Sequence, residues 1–324
     1  MRRTPLSESA ALSRLLGAEV YLKLENLQFT GSFKERGAAS RIRLLTDAER
    51  ALGIVTASAG NHAQAVALHA SRLGVVATVV MPEGTPLVKV QATESHGARV
   101  RLQGSSYDEA AEHAAKLASE TGAIYVHPFD DLEVIAGQGT IGLELLEQLA
   151  EFDAVIVPVG GGGLIAGIAT VLRERKPEVR IIGVESRTFP GMRRALESEL
   201  PNSLPPTALP GGKTIADGIA VRRVGQLTRK IVRALVDEIV LVDEEEIAEA
   251  ILLLLERERT VAEGAGAVGL AALLHRDLGL AGKRVIIVIS GGNIDVNLIS
   301  RVIQRGLVKS GRLCRLFVTA RDVA

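Results

Sequence analysis

A lysine follows a run of small, turn-forming residues in the segment Thr30-Gly31-Ser32-Phe33-Lys34, which is predicted to lead into a helix. An amine in such a segment is a candidate nucleophile that forms an imine with a carbonyl compound. The alternative is an ordinary helix start, with Ser32 as the N-cap and Lys34 exposed to solvent. The segment alone favours this alternative, so its interpretation depends on other parts of the chain.

Three further loops rich in small residues follow predicted strands. They are Ser58-Ala59-Gly60-Asn61-His62, Gly160-Gly161-Gly162-Gly163-Leu164 and Ser290-Gly291-Gly292-Asn293. The first two also begin predicted helices, whose N-terminal N–H groups suit a carboxylate or a phosphate. Each loop alone has an ordinary alternative, either a turn or a capped helix start. Because all three lie at predicted carboxyl ends of strands, where open α/β sheets bind ligands, we expect them to form one site.

The four consecutive glycines at 160–163 lose much conformational entropy on folding. A backbone that wraps a small anion, with a helix dipole behind it, explains their presence, so this loop is predicted to bind a phosphate. It is not a Walker A sequence, since no Gly-Lys-Ser/Thr follows it. It does not fit the dinucleotide-binding fingerprint either, because Ile165 occupies the position of the third glycine.

Several residues in and near these loops have two interpretations. Ser290 either belongs to a glycine-rich turn or directs its hydroxyl at a cofactor atom, and Gly291 is a further candidate site residue beside it. Glu263 precedes a glycine-rich helix start, and it either faces the predicted cleft or is a surface acid. His62 either contacts a substrate or caps a helix. Asp217 either forms a turn or anchors a loop.

The composition argues against several classes of function. The chain has 324 residues, enough for two domains, and its formal net charge of zero argues against a nucleic-acid surface. Its single cysteine, Cys314, cannot form an internal disulfide, so a reducing, cytoplasmic setting is expected. The apolar segments are too short or too interrupted for a signal peptide or a membrane span. The histidines lack the spacing of a zinc site.

Short runs of β-branched residues alternate with longer helical patterns, which predicts a parallel sheet flanked by helices. Strands are predicted over residues 53–57, 75–81, 98–102, 124–126, 154–159, 180–184, 239–242 and 285–289. Helices are predicted over residues 63–73, 107–121, 164–173 and 244–257. The last four strands are apolar, as strands buried on both faces are. Residues 187–213, with five prolines, are predicted to form a surface loop.

Several stretches together resemble the fold-type II pyridoxal-phosphate enzymes, and among them the threonine (serine) dehydratases. The resembling stretches are residues 21–28, 30–37, 58–64, 81–86, 127–131, 137–140, 160–164 and 290–293. They occur in the order of the family and extend over nearly all of the chain. The resemblance implies an α/β fold of two open, twisted, mostly parallel sheets flanked by helices, with the active site in the cleft between two domains.

The resemblance also implies where the domains lie. Residues 1–52 and 131–312 would form a large domain that binds pyridoxal 5'-phosphate (PLP), and residues 53–130 would form a small domain. Residues 313–324 resemble the start of a truncated ACT-type regulatory domain. If that domain is cut short, feedback by an amino acid should be missing.

Roles for individual residues follow from the same resemblance. Lys34 would hold PLP as an imine, Phe33 would lie against the pyridine ring, and Asn61 would hydrogen-bond the ring hydroxyl. The loop Gly160, Gly161, Gly162 and Gly163 would bind the phosphate, and Ser290 would meet the pyridine nitrogen. The residues Ser58, Ala59, Gly60, Asn61 and His62 would take the substrate carboxylate. Lys34 and Ser58 are the expected catalytic residues.

Some positions discriminate within the family. Histidine at 62 matches dehydratases and serine racemases, whereas cysteine synthases resemble Ser-Gly-Asn-Thr at this loop. Serine racemases have a second serine at the position of Ala59, which has no titratable proton, so efficient racemisation is not expected. Glu185 matches a ligand of the divalent-metal site of racemases, but Gly191 stands where that site has a carboxylate. Glu35 stands where an apolar residue is commoner.

The resemblance therefore predicts PLP-dependent deamination of L-threonine, L-serine or both to a 2-oxo acid and ammonia, with a place in isoleucine biosynthesis. The alternatives are serine racemase or another β-eliminating or β-replacing enzyme of this fold, and a sensor that binds PLP or an amino acid without catalysis. A monovalent or divalent cation is not supported by the sequence. The expected partners are a small amino-acid substrate and further copies of the chain in a dimer or tetramer, without nucleic acid or membrane.

Overall fold

The computed structural model describes residues 1–197, 212–309, 311–314 and 316. The strands are β1 (Leu6–Glu8), β2 (Glu19–Leu24), β3 (Ile54–Ala57), β4 (Ala77–Met81), β5 (Arg99–Leu102), β6 (Ile124–Tyr125), β7 (Ala154–Pro158), β8 (Arg180–Ser186), β9 (Glu238–Val242) and β10 (Arg284–Ile289). They form a six-stranded sheet in the order β1-β2-β10-β7-β8-β9 and a four-stranded sheet in the order β5-β4-β3-β6. Every pair is parallel except β1 with β2, so the predicted fold class is confirmed.

Helices connect and cover these strands. They are α1 (Ala10–Leu16), α2 (Lys34–Arg43), α3 (Asp47–Leu52), α4 (Asn61–Arg72), α5 (Leu87–Ser95), α6 (Tyr107–Thr121), α7 (Leu132–Gln148), α8 (Gly163–Arg175), α9 (Gly191–Glu197), α10 (Gln226–Leu235), α11 (Glu244–Glu258), α12 (Gly264–His275) and α13 (Val296–Lys309). Short 3₁₀ turns occupy Glu25–Leu27 and Asp217–Ile219. None of the helices within the described ranges is long and apolar enough to cross a membrane.

The six-stranded sheet is buried on both faces, because alternate residues of its central strands enter different cores. On β7, Ile156 packs with α11 and α12, whereas Val155 and Val157 pack with α7, α8 and α10. On β10, Ile287 packs with α11 and α12, and Ile286 packs with α7, α8 and α10. These apolar strands carry the glycine-rich loops at their carboxyl ends, and a strand buried on both faces suits a site that has to be positioned accurately.

The four-stranded sheet has a smaller core. Helix α6 packs its alanines on one face, against Val55 and Val80. The other face is covered by α4 and by Ala38 and Ile42 of α2, the helix that begins at Lys34. Helix α2 therefore carries the lysine between the two sheets.

Several predictions about elements need correction. Residues 187–213 are not all loop, because α9 occupies Gly191–Glu197; residues 198–211 lie outside the described part of the chain. Strand β9 is only half buried, since it forms an edge of its sheet. The prediction for residues 313–324 falls almost entirely on residues that the structure does not describe.

Candidate active site

The Lys34 segment runs alongside the loop that follows β10. Phe33 donates its backbone N–H to the Ser290 carbonyl at 3.0 Å, and Gly292 donates to the Gly31 carbonyl at 2.9 Å. Gly31 has φ of +71°, a conformation that glycine adopts without strain. Two of the sequence-predicted loops are thus joined by backbone hydrogen bonds.

Lys34 is the first residue of α2, and its surroundings differ from those of an ordinary helix start. Ser32 is fully buried and does not cap the helix, whose N-cap is Phe33. The Lys34 amine donates to the Pro128 carbonyl at 2.8 Å. Burial lowers the pKa of this amine to about 8, although the charge of Glu263 acts in the opposite direction. An amine with a pKa in this range is partly neutral near pH 8, as a nucleophile requires.

The four-glycine loop follows β7 and opens α8, as the sequence predicts. No position in it has room for a side chain on its protein-facing side. A Cβ at Gly161 would overlap the Phe129 ring, and one at Gly162 would lie 2.5 Å from Met192 Cε. At Gly160 it would lie 3.0 Å from Ile219 Cα. The loop therefore needs glycine for close packing, and its N–H groups begin α8.

The loop Ser58–His62 follows β3 and opens α4, but its side chains do not cap the helix. The N-cap is Gly60 without a side-chain hydrogen bond, and Ser58 Oγ accepts from the Gly60 N–H at 3.2 Å. His62 is buried, with Nε2 at 3.2 Å from the Val126 carbonyl. Burial and the Lys34 charge lower the His62 pKa to about 3. Neutral His62 therefore donates from Nε2 and brings no positive charge to the loop.

The Asn61 side chain connects this loop to the loop after β10 and, through Asn293, to the Lys34 segment. Its Nδ2 donates to Glu263 Oε1 at 2.8 Å, and its Oδ1 accepts from Asn293 Nδ2 at 2.8 Å. Asn293 Nδ2 also donates to the Thr30 carbonyl at 2.6 Å. The structure thus brings the Lys34 segment, the first loop and the third loop together around one amide.

Glu263 is a buried acid of this site and not a surface residue. Its side chain is in contact with Asn61 and lies so close to Gly291 that a Cβ there would be 2.5 Å from Oε1. Burial raises the Glu263 pKa to about 8, and the nearby charge of Asp217 acts in the same direction. Glu263 is therefore protonated through most of the neutral range. Its alternative as a surface acid is wrong.

The site contains buried polar atoms that suit a polar ligand. Thr30 Oγ1, Ser32 Oγ and His62 Nδ1 have no hydrogen-bond partner among the described residues. All three belong to the segments that surround Lys34. Buried polar atoms are nearly always paired in folded proteins, so a polar ligand between these segments fits the residues present. The glycine loop offers N–H groups for its anionic part.

Glu185 does not belong to a metal site in this structure. It is buried at the end of β8, and its carboxylate accepts the backbone N–H groups of Met192 and Arg193 at 2.7 and 2.9 Å. Burial raises its pKa to about 8. Gly191 begins α9, so Glu185 satisfies the first N–H groups of that helix. Within the described ranges no three His, Cys, Asp or Glu side chains come together as metal ligands.

Residues 127–131 contact both Lys34 and the glycine loop, although the sequence analysis gives them no individual roles. His127 Nδ1 accepts the backbone N–H of Asp130 at 2.8 Å, Pro128 accepts the Lys34 amine, and Phe129 packs under Gly161. Asp131 caps α7 through its side chain. These residues lie in a stretch that resembles the family, but hydrophobic periodicity does not predict the contacts that each of them makes.

A buried cluster of ion pairs joins α2 to α7. Arg36 is fully buried and donates to both oxygens of Glu25, at 2.7 and 2.8 Å. It also contacts Glu144 of α7, which in turn pairs with the buried Lys23. Each buried charge has an opposite partner, the condition under which such charges are tolerated. This cluster holds α2, and with it Lys34, against α7.

Glu35, the departure from the family pattern, is buried without exposure. It accepts the Thr30 backbone N–H and lies 3.4 Å from His69 Nε2 on α4. Burial acts to raise the Glu35 pKa, but the hydrogen bonds from His69 and Thr30 outweigh it, so the pKa is lowered. The acid therefore shapes the turn before Lys34.

These contacts join a half-buried lysine, a glycine loop that opens a helix and two loops, each with one serine, at the carboxyl ends of strands. A family model described as pyridoxal-phosphate dependent enzyme matches residues 1–291. The chain belongs to this family. PLP is its cofactor, as the resemblance predicts.

Two curated relatives are similar over almost the whole chain. An L-threonine ammonia-lyase of Thermotoga maritima is 54% identical over 96% of this chain and 76% of the relative. An L-threonine dehydratase named catabolic TdcB, of Staphylococcus aureus, is 48% identical over 95% of this chain and 88% of the relative.

Solved structures have the same fold. The processed form of threonine deaminase isoform 2 from Solanum lycopersicum is 39% identical, with a TM-score of 0.88 over 95% of this chain and 84% of that chain. Maize serine racemase is 34% identical, with a TM-score of 0.86 over 96% of this chain and 94% of that chain. The fold is therefore common to eliminating and racemising enzymes, and the site residues have to discriminate between the two activities.

Proposed function

We propose that the protein is a PLP-dependent ammonia-lyase that converts L-threonine, and L-serine as a second substrate, to a 2-oxo acid and ammonia. The observation that carries the proposal is the Lys34 amine. It has a pKa of about 8 and donates to the Pro128 carbonyl, next to the Phe129 ring that packs against Gly161. The chain is 54% identical to a named L-threonine ammonia-lyase and 48% identical to a named L-threonine dehydratase.

Each part of PLP has a candidate partner in the site. Lys34 Nζ would bind its carbonyl carbon, and the N–H groups of Gly160–Gly163 would bind its phosphate. Ser290 would be the partner of the ring nitrogen, Asn61 would be the partner of the ring hydroxyl, and Phe33 would lie beside the ring. Because Ser290 is neutral, it would leave the ring nitrogen of bound PLP without a proton. When bound, PLP withdraws electrons from the substrate α-carbon and makes its proton removable.

The substrate amine would displace Lys34 Nζ from the PLP carbonyl carbon, and the freed, neutral Nζ would then be the base that removes the α-proton of the bound amino acid. Its lowered pKa, caused chiefly by burial, keeps a useful neutral fraction near pH 8. The β-hydroxyl then leaves with a proton as water. Hydrolysis of the released enamine yields the 2-oxo acid and ammonia, which balances the atoms of the substrate.

The substrate carboxylate binds at the start of α4. The backbone N–H groups of that helix and the Ser58 hydroxyl can donate to it. His62 contributes position and not charge, because its pKa of about 3 keeps it neutral. Helix N–H groups, with the helix dipole, therefore supply the positive potential that the carboxylate needs.

Elimination is favoured over racemisation by Ala59. Racemisation needs a second group that returns a proton to the opposite face of the α-carbon, and a methyl group cannot do so. Ala59 packs against the core of the four-stranded sheet. With no titratable side chain there, Lys34 is the sole base, and a proton removed from the α-carbon is followed by loss of the β-hydroxyl.

A panel of hydroxy amino acids with product identification tests the proposal. The wild-type protein should be yellow and should form 2-oxo acid and ammonia from L-threonine. Lys34→Ala should lose this activity by at least about a thousandfold, because it removes both the PLP attachment and the base. The exposed Lys116→Ala on α6 is the matched control and should keep full activity.

Two results would contradict the proposal. A PLP-loaded wild type that forms no 2-oxo acid from L-threonine or L-serine would indicate the non-catalytic sensor. Chiral analysis of recovered serine checks the racemase alternative, and rapid formation of D-serine would overturn the argument from Ala59.

We also propose an organisation for this activity. A small domain of residues 53–130 and a large domain of residues 1–52 and 131–312 enclose the site, and α2 packs on the four-stranded sheet and bonds to α7 through Arg36 and Glu144. A dimer or tetramer in the cytoplasm is proposed, supported by the exposed Leu132 and Leu143 on one face of α7. Light scattering of the purified protein measures its molar mass and therefore the number of subunits. The place in isoleucine biosynthesis stays a prediction.

A further inference from the structure

Thr228 is a buried residue of α10 that contacts the glycine loop, although no motif includes it. Its side chain is fully buried, and its hydroxyl donates to the Gly161 carbonyl at 2.7 Å. The Gly225 carbonyl is a second acceptor at 3.2 Å. A hydroxyl has one proton, so the shorter distance assigns it mainly to Gly161.

Asp130 fixes the turn of helix that carries Thr228. Its carboxylate accepts three backbone N–H groups, those of Gln226, Leu227 and Thr228, each at 3.0 Å. The helix has no side-chain cap of its own, since its N-cap is Gly225. A Cβ at Gly225 would overlap Asp130, so glycine is needed for this approach. Asp130 therefore caps α10 from a distant part of the chain.

The glycine loop is consequently held from two directions. Phe129, next to Asp130, occupies the space where a Gly161 Cβ would lie. Thr228 holds the Gly161 carbonyl and lies against Gly162, where a Cβ would be 3.0 Å from Thr228 Cβ. A peptide unit is planar, so a fixed carbonyl also fixes the N–H on its other side. The Gly162 N–H must then point away from Thr228.

We propose that Thr228 and Asp130 are positioning residues for the phosphate of PLP. Asp130 sets the first turn of α10, and the Thr228 hydroxyl keeps the Gly161–Gly162 peptide in the orientation that offers its N–H to the phosphate. The inference rests on the proposed function, since it takes PLP as the ligand. Four glycines would otherwise sample many orientations, and apparent affinity falls with the fraction of competent loops.

The test compares two ligands that differ only in the phosphate. Thr228→Val keeps the shape of the side chain and removes the hydroxyl. The full-length protein, freed of PLP, is titrated with PLP and with pyridoxal, and binding to Lys34 is followed by absorbance. We expect the dissociation constant of PLP to rise about tenfold, as for one lost buried hydrogen bond, while that of pyridoxal changes by less than about twofold.

Three companion variants make the comparison specific. Thr228→Ser restores the hydroxyl and should bind PLP within about threefold of the wild type. Asp130→Asn removes one charged acceptor and should weaken PLP binding more than pyridoxal binding. Thr93→Val is the matched control, because Thr93 is equally buried and its hydroxyl donates to the Lys89 carbonyl at 3.0 Å. It should change neither affinity.

The outcomes separate this inference from the proposed function. Equal losses for PLP and pyridoxal in Thr228→Val, or no loss for either, would overturn the inference. If the valine variant does not fold, Thr228→Cys, with its weak donor, is judged by the same ratio of the two affinities. A wild-type protein that does not bind PLP at Lys34 would instead overturn the proposed function.

Discussion

The loops Ser58–His62 and Gly160–Gly163 look alike in sequence but are built differently. Both follow a parallel strand, contain glycine and open a helix. Gly161, Gly162 and Gly163 are buried against Phe129, Met192 and Thr228. A Cβ at Gly60, in contrast, would meet nothing within 4 Å, and the residues at 58–61 are partly exposed.

The difference indicates how the site divides its tasks. A ligand that stays bound benefits from a loop already fixed in its binding conformation, because little entropy is lost on binding. A substrate that enters and leaves in each turnover needs a loop with free space around it. The packed loop therefore suits the PLP phosphate, and the open loop suits the amino-acid carboxylate.

Gly161→Ala tests the packed loop and should have the largest effect. The new methyl group would overlap the Phe129 ring, so the loop and the 127–131 segment must separate. We expect a loss of stability of about 3 kcal/mol, typical of overpacking, and PLP binding weakened by at least about a hundredfold. Urea unfolding and PLP titration measure the two effects.

Gly60→Ala is the matched variant in the open loop. A Cβ at Gly60 would meet no atom within 4 Å, so the added methyl has free space. Stability and PLP affinity should stay within about 1 kcal/mol of the wild type, with any change confined to KM for threonine. Equal damage by both glycine variants would remove the distinction between the two loops.

The pH dependence of PLP binding tests the lysine that lies between the loops. Only the neutral amine reacts, and burial lowers the pKa of Lys34 to about 8. The rate of covalent PLP binding should rise about tenfold per pH unit below pH 8 and become constant above it. Stopped-flow absorbance measures the rate. A rise that continues to pH 10 would mean that Lys34 has the pKa of an exposed lysine.

Much of this architecture could be predicted from the sequence. The apolar runs of β7 and β10 and the glycine loops after them predicted a parallel sheet with a site at its carboxyl edge, and the edge is where Gly160 and Ser290 lie. Short-range patterns suffice there because a buried strand and its loop leave a local signal. The segment Thr30-Gly31-Ser32-Phe33-Lys34 also carries a local signal, which predicted the start of α2.

What could not be predicted depends on contacts between distant residues. Thr228 is one polar residue in an amphipathic helix, and nothing nearby shows that Gly161 accepts its proton. Glu263 has the sequence context of a surface acid, yet folding buries it beside Asn61. The helix α9 within residues 187–213 is likewise fixed by the buried Glu185, which satisfies its first N–H groups.

Glu263→Gln tests the contact that ties the open loop to the large sheet. Asn61 can still donate to the glutamine oxygen, so the link is kept while the ionisable group is lost. Glu263 in its charged form raises the Lys34 pKa, so the variant should bind PLP a few-fold faster near pH 8, where Glu263 becomes charged, and at the wild-type rate near pH 6, where Glu263 is protonated.

The same variant changes how stability depends on pH. Burial raises the Glu263 pKa from 4.5 to about 8, so the folded state binds more protons than the unfolded state between these values. Wild-type stability should then fall as pH rises through this window, and the advantage of glutamine should be larger at pH 8 than at pH 5. Urea unfolding of the PLP-free protein at both pH values measures it. An equal difference at both would mean that Glu263 titrates normally.

The ion pair of Lys89 with Asp217 tests the open side of the site and should have the smallest effect. It joins α5, on the four-stranded sheet, to the 3₁₀ turn beside Glu263, with 2.9 Å between Lys89 Nζ and Asp217 Oδ2. The side chains are 34% and 59% exposed, so solvent screens the pair. A double-mutant cycle with Lys89→Ala and Asp217→Ala should give a coupling energy of about 0.5 kcal/mol, reduced further by salt. If the coupling were as large as the loss in Gly161→Ala, the open side would be held as firmly as the phosphate loop. A weak coupling instead leaves the substrate loop free to adjust, because the ion pair would add little to the hydrogen bonds of Asn61 with Glu263 and Asn293.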